Sequence, residues 1–245
     1  MCLLAIFHRV VEDAPLVVGA NREELYTRGG EPPQLLEGKY PAIGGRDPVA
    51  GGTWLAVNQR GVLLAVTNRQ KQETPPAPRS RGLLLRDLLD SPTAAEAAGR
   101  AVQQLTSQAY AGCNLVCADA ERALVIHAGS WIRVRPLPPG LHVLTARDVN
   151  DLTDRRLAHA LVSLSRRSYR SSDECVRALQ KLCGETGGDG PPICLKGDEG
   201  GTVSSSILVL KQPVASSRYF HAQGPPDRTA YQDCSSLFRA LEPVR

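Results

Sequence analysis

The first residue able to act as a nucleophile is the second in the chain: Cys2 follows Met1 in "MCLLAIFHRV". Two readings of it are open. Free cysteine behaves as a small buried hydrophobe, and "CLLAIF" has the composition of a buried strand. The other reading depends on removal of Met1, which a small second residue permits. Cys2 would then carry a thiol and a free α-amine together. Such an amine titrates near pH ~7.7–8.0 and a thiol near ~8.5, so the amine can take the thiol proton. Nucleophile and base would share one residue.

Two further constellations could serve such a nucleophile. "GANREELYTR" places Asn21, Arg22, Glu23 and Glu24 at the end of an apolar run. Charges there either cluster beside the first strand or form a solvated turn. Asn68 closes the run "LLAVTNR", where an amide can donate to a developing oxyanion or serve turn chemistry. Other residues do not assemble. Cys113 and Cys117 have no second pair nearby, and His8, His127, His142, His159 and His221 lack metal-ligand spacing. There is no phosphate-binding Gly-rich loop ending in Lys-Ser/Thr and no Gly-x-Ser-x-Gly elbow. Basic "SRRSYR" at 165–170 is expected at a helix C-terminus, where positive charge is favourable.

The elements that must position these residues can be read from pattern. Residues 2–8 and "APLVVGANRE", ending at Gly19, predict a hairpin turned by "VEDAP". "EPPQLLEGKYPAIGGRDPVAGG" reads as an ordered loop. "TWLAVNQRGVLLAVTNR" predicts a hairpin turning at "NQRG". Helices are expected over "SRGLLLRDLLDS" and "SPTAAEAAGRAVQQLTSQA", the latter capped by Ser91 with Pro92 at its first position. "NLVCADAERALVIHAG" and "WIRVRPLPPGLHVLTA" read as two more hairpins. Helices follow near 154–169 and at 172–183, stopped by Gly184, and "TVSSSILVLKQ" with "SRYFHA" forms a last hairpin. Strands, helices, strands, helices, strands: the order predicts an α+β fold, two mainly antiparallel sheets face to face with helices outside. No long linker divides residues 1–245, which read as one domain.

Composition narrows the partners. The chain has 245 residues, 42% hydrophobic, with a net charge of +4 and only 4% aromatics to stack on bases. Nucleic acid is therefore not the expected partner; a small-molecule substrate or ligand is. No apolar run approaches the ~20 residues of a transmembrane helix, and no secretory leader is evident. Seven scattered cysteines read as reduced thiols, giving a cytoplasmic expectation. Oligomeric state is left open.

Cys2, "ANREELYTR" and "GGTWLAVNQRGVLLAVTNR" together resemble the NRDE, or Transport and Golgi organisation protein 2, family. "NLVCAD", "LPPGLHVLT" and "GTVSSSILVL" extend the likeness through nearly the whole chain. That family resembles N-terminal nucleophile hydrolases such as penicillin V acylase and bile salt hydrolase. The resemblance implies a four-layer αββα sandwich with Cys2 as nucleophile and Glu23 as anchor of its amine. It also implies Asn68 as oxyanion donor and Arg22 as an adjacent charge favouring the thiolate. Asn21 and Trp54 are expected beside the substrate. Two departures stand out: the motif's usual aspartate is Glu23, and a Ser-Asn pair expected after a central strand is Thr145-Ala146. Asn150 is the expected substitute for the absent asparagine. The hydrolase reading requires no cofactor. The family's other reading is a haem or acyl-lipid carrier. There is no Cys-x-x-Cys-His haem attachment site, and Cys2 and His8 share strand parity as candidate ligands.

Overall fold

Alternation along the first strand sorts the core into layers. In β1 (Leu3–Val11), Leu4 and Ile6 enter a core between two sheets. Leu3, Ala5 and Phe7 enter another between that sheet and two helices. In β2 (Ala14–Leu25), Leu16 and Val18 face inward and Val17 outward. Both faces are covered, so these strands read as continuous apolar runs.

The structure, a computed structural model, describes residues 2–188 and 190–241. After β2 come β3 (Glu31–Leu36), β4 (Ala42–Arg46), β5 (Leu55–Asn58) and β6 (Leu63–Asn68). Helices α1 (Arg81–Leu88) and α2 (Ala94–Ser107) follow, then β7 (Cys113–Ala118), β8 (Ala123–Ala128), β9 (Ile132–Leu137) and β10 (Gly140–Leu144). The chain continues through α3 (Arg155–Ser165), α4 (Ser172–Cys183), β11 (Gly200–Leu210), β12 (Arg218–Ala222) and β13 (Gln232–Asp233). The first sheet has the order β10-β1-β2-β11-β12-β13, and the second runs β3 to β9 in sequence order. Every strand pair in both is antiparallel.

Leu63 and Ala65 of β6, with Val116 of β7, meet the first sheet across the central core. Leu64, Leu115 and Cys117 face the other way, onto Leu84, Leu88 and Ala97 of α1 and α2. Leu157, Ala160, Val176 and Leu179 of α3 and α4 cover the first sheet. The fold is the α+β four-layer αββα sandwich. Among the described residues no helix is long and apolar enough to cross a membrane.

Four sequence expectations change. β2 runs past Gly19 to Leu25, because β11 pairs with it as far as Leu25, so the Asn21–Glu24 motif is strand rather than turn. The stretch 31–52 contains β3 and β4; Pro32 and Pro33 are tolerated because β3 is an edge strand. Residues 131–146 are not a hairpin. β9 pairs with β8 in one sheet and β10 with β1 in the other, so Pro138 and Pro139 mark a crossing between sheets. The α2 cap is Thr93, whose side chain accepts from the Glu96 amide, while buried Ser91 accepts from Arg100 instead.

Candidate active site

The end of the β1–β2 pair places the first half of the site. Leu3 pairs with Asn21, so Cys2 lies beside Arg22 at the mouth of the central core. Alternation then divides the motif. Arg22 shares the inward parity of Val18 and Ala20, and its guanidinium lies 4.3 Å over the Trp54 ring. It also donates to the Gly29 carbonyl and stands 3.7 Å from Glu24. Gly45 leaves room for that ring, since a Cβ there would collide with it. Asn21 and Glu23 share the opposite parity. Asn21 is buried and donates to the Cys183 and Ile193 carbonyls at 2.9 and 3.2 Å. Glu23 takes both Nη atoms of Arg156, at 2.5 and 3.1 Å.

The β6 end supplies the second half. Asn68 is exposed, opposite Cys113 of β7, and its side chain makes no hydrogen bond among the described residues. Next to it, Thr67 donates to the Thr145 carbonyl at 2.7 Å. Asn114 donates to the Thr145 and Arg147 carbonyls at 3.0 and 2.9 Å, tying the 145–147 segment to β6 and β7. Cys2, Arg22, Glu23, Trp54 and Asn68 line one cavity of about 310 Å³, with Arg28, Asp47 and Arg81 among its other walls. Beyond Asn68 a second basin of about 900 Å³ opens, bordered by Ala146, Arg147 and Asp148. The position of the absent asparagine therefore faces open space.

Arg22 acts on the Cys2 thiol in the expected direction but is outweighed. Burial, and then the negative charge of Glu23, push the Cys2 thiol above its ordinary value. The Glu23 backbone N–H and Arg22 oppose this without overcoming it. Burial likewise pushes the Glu23 carboxyl up against the pull of Arg156.

Two expected contacts are not formed. Asn21 is committed to carbonyls away from the cavity, and Asn150 does not line it. The backbone of Asn150 is left-handed, φ 58°, and its Oδ1 accepts from the Val143 amide at 2.8 Å, fixing the turn after β10. His8 lies six residues along β1 from Cys2, about 20 Å away at the strand rise, so the two cannot ligate one iron. Among the described residues no cluster of three or more His, Cys, Asp or Glu could hold a metal ion.

Arg156, Arg81 and Asn114 escaped sequence reading. For Arg156 one signal existed. It sits in the first turn of α3, after the Asp154 cap, where the helix dipole disfavours a cation; such a placement asks for a partner outside the helix. Asn114 carried no signal, because its partners are backbone carbonyls more than thirty residues away.

Solved structures share the fold. A Caenorhabditis elegans ortholog of N-acylethanolamine-hydrolyzing acid amidase superposes with a TM-score of 0.61 at 16% identity, covering 85% of this chain and 92% of its own. Penicillin V acylase from Agrobacterium tumefaciens gives 0.64 at 11% identity, covering 96% and 88%. In sequence, the Transport and Golgi organization 2 homolog of Mus musculus is 32% identical over 138 residues, which are 53% of this chain and 50% of that protein. The chain spans about half the length of the curated relatives it matches. The family model described as Transport and Golgi organisation 2 matches residues 1–187, from the Cys2 strand through α4, and the chain belongs to that family.

Proposed function

We propose that the chain is an N-terminal cysteine amidohydrolase acting on a small amide or acyl substrate. One observation carries the reading: Cys2, Arg22, Glu23 and Asn68, from three separate segments on two sheets, line a single cavity. The names of the fold neighbours, an acid amidase and an acylase, agree with the class.

Met1 lies outside the described residues, and its removal is part of the proposal. The Cys2 α-amine then takes the proton that burial and Glu23 keep on the sulfur. Glu23 holds the resulting ammonium. Both its oxygens meet Arg156, yet a carboxylate has about four acceptor sites, leaving room for an amine. Sγ attacks the carbonyl carbon, and Asn68 Nδ2, which has no hydrogen-bond partner among the described residues, donates to the oxyanion. The ammonium returns its proton to the leaving nitrogen, and water then cleaves the thioester.

Intact-mass measurement and turnover of an amide panel test this together. Active protein should begin at Cys2. Cys2→Ser should abolish turnover, and Asn68→Ala should lower kcat about 100–1000-fold. Active protein that retains Met1, or turnover surviving Cys2→Ser, overturns the reading.

A further inference from the structure

The cavity's charges nearly cancel, and the residue that breaks the balance is Arg81. Four arginines line it: Arg22, Arg28, Arg79 and Arg81. Arg28 reaches Asp47 at 2.6 Å, and Arg79 reaches Asp87 at 2.8 Å. Arg22 is stacked on Trp54 and faces Glu24. The lining carboxylates are answered as well: Glu23 by Arg156, Glu24 by Arg22 and Arg28, and Asp47 by Arg28. Arg81 alone among these arginines has no carboxylate within 4.0 Å among the described residues. Its one side-chain hydrogen bond among the described residues is from Nη1 to the Gly112 carbonyl, at 2.9 Å. The first turn of α1 carries no acid to offset it.

The backbone next to Arg81 is also held in place. The Thr53 amide donates to the Gly82 carbonyl at 3.1 Å. Gly52 packs so closely on Gly82 that a Cβ there would strike its backbone. A half-buried guanidinium fixed at a cavity wall, with donors to spare, suits a planar or tetrahedral anion.

We propose that Arg81 is a specificity residue selecting an anionic substrate, one bearing a carboxylate or phosphate group beside the bond that is cut. This rests on the cavity being the reacting site. It does not require that any particular amide be turned over.

Iodoacetate and iodoacetamide test it on the full chain, being alkylating reagents of nearly equal size that differ by one charge. Rates at Cys2 are read by peptide mapping, and the iodoacetate/iodoacetamide ratio is compared with that of glutathione. The ratio at Cys2 should be about tenfold higher, as an unbalanced cation in a cleft raises the local concentration of an anion. Arg81→Gln should return it to the glutathione value, and Arg81→Lys should keep most of the excess. Arg86→Gln should change nothing, because Arg86 donates to the Gly51 and Glu37 carbonyls outside the cavity lining. Slower alkylation with added acetate would assign a carboxylate, and slower alkylation with inorganic phosphate a phosphate group. A wild-type ratio equal to that of glutathione, or one unmoved by Arg81→Gln, overturns the proposal. A chain that shows the Arg81-dependent ratio but cleaves no amide keeps this inference and loses the hydrolase reading.

Discussion

Glu23 differs from the family's aspartate by one methylene, and Arg156 is where that length is used. From the end of β2 the longer carboxylate reaches the first turn of α3, binding a strand of the first sheet to the helix layer above it. Arg156 also donates to the Ile193 carbonyl at 2.6 Å, so one guanidinium joins three segments. The pair is buried, with side-chain exposures of 12% and 3%. Removing one partner from such a pair strands a buried charge, at a cost of about 3–5 kcal/mol. Glu23→Gln should therefore lower the denaturation midpoint substantially. Combining it with Arg156→Met should recover part of the loss, because no lone charge then remains. A double-mutant cycle in urea measures this; strictly additive losses would show that the two side chains act independently.

At the scale of elements, the second sheet holds the loop that borders Asn68. His127 of β8 lies 2.8 Å from Asn114 Oδ1 through its Nδ1, and Asn114 grips residues 145–147. Burial pushes the His127 imidazole down to about 4, so it is neutral in the folded chain at pH 7. In the unfolded chain it takes up a proton below ~6.5. Between those values the unfolded state binds more protons, so stability rises with pH there. The contribution is complete above pH ~6.5 and is lost as pH falls toward about 4. Chemical denaturation at pH 7 and pH 5 should show this loss, and His127→Gln should shrink it. An unchanged pH slope in the variant would mean that other groups carry the dependence. Much of this layer was legible from pattern: α4 spans the 172–183 that its apolar periodicity and Gly184 predict, and the Asn68 hairpin turns at "NQRG". The β9–β10 crossing was not legible, because two strands joined by "LPPG" read alike whether or not they pair with each other. Cys2, Arg22, Glu23 and Asn68 could be picked out as a group. The residues that set their charge balance could not, since Arg156 lies 133 residues from Glu23.

For the whole molecule, the β9–β10 crossing has a temporal consequence. The second sheet is a meander, and all its strands have been synthesised once residue 137 is made. β1 and β2 must wait for β10 on one side and for β11, ending at Leu210, on the other. At ~5–20 residues per second that interval lasts on the order of ten seconds or more. Nascent chains stalled with residue 137 exposed should resist protease across 31–137 while residues 2–25 are cut, and chains stalled beyond 210 should protect both. Equal protection at the shorter length would show that β1 and β2 find other shelter. Residues 2–25 thus stay open to other proteins until the strands that flank them in the first sheet have been made.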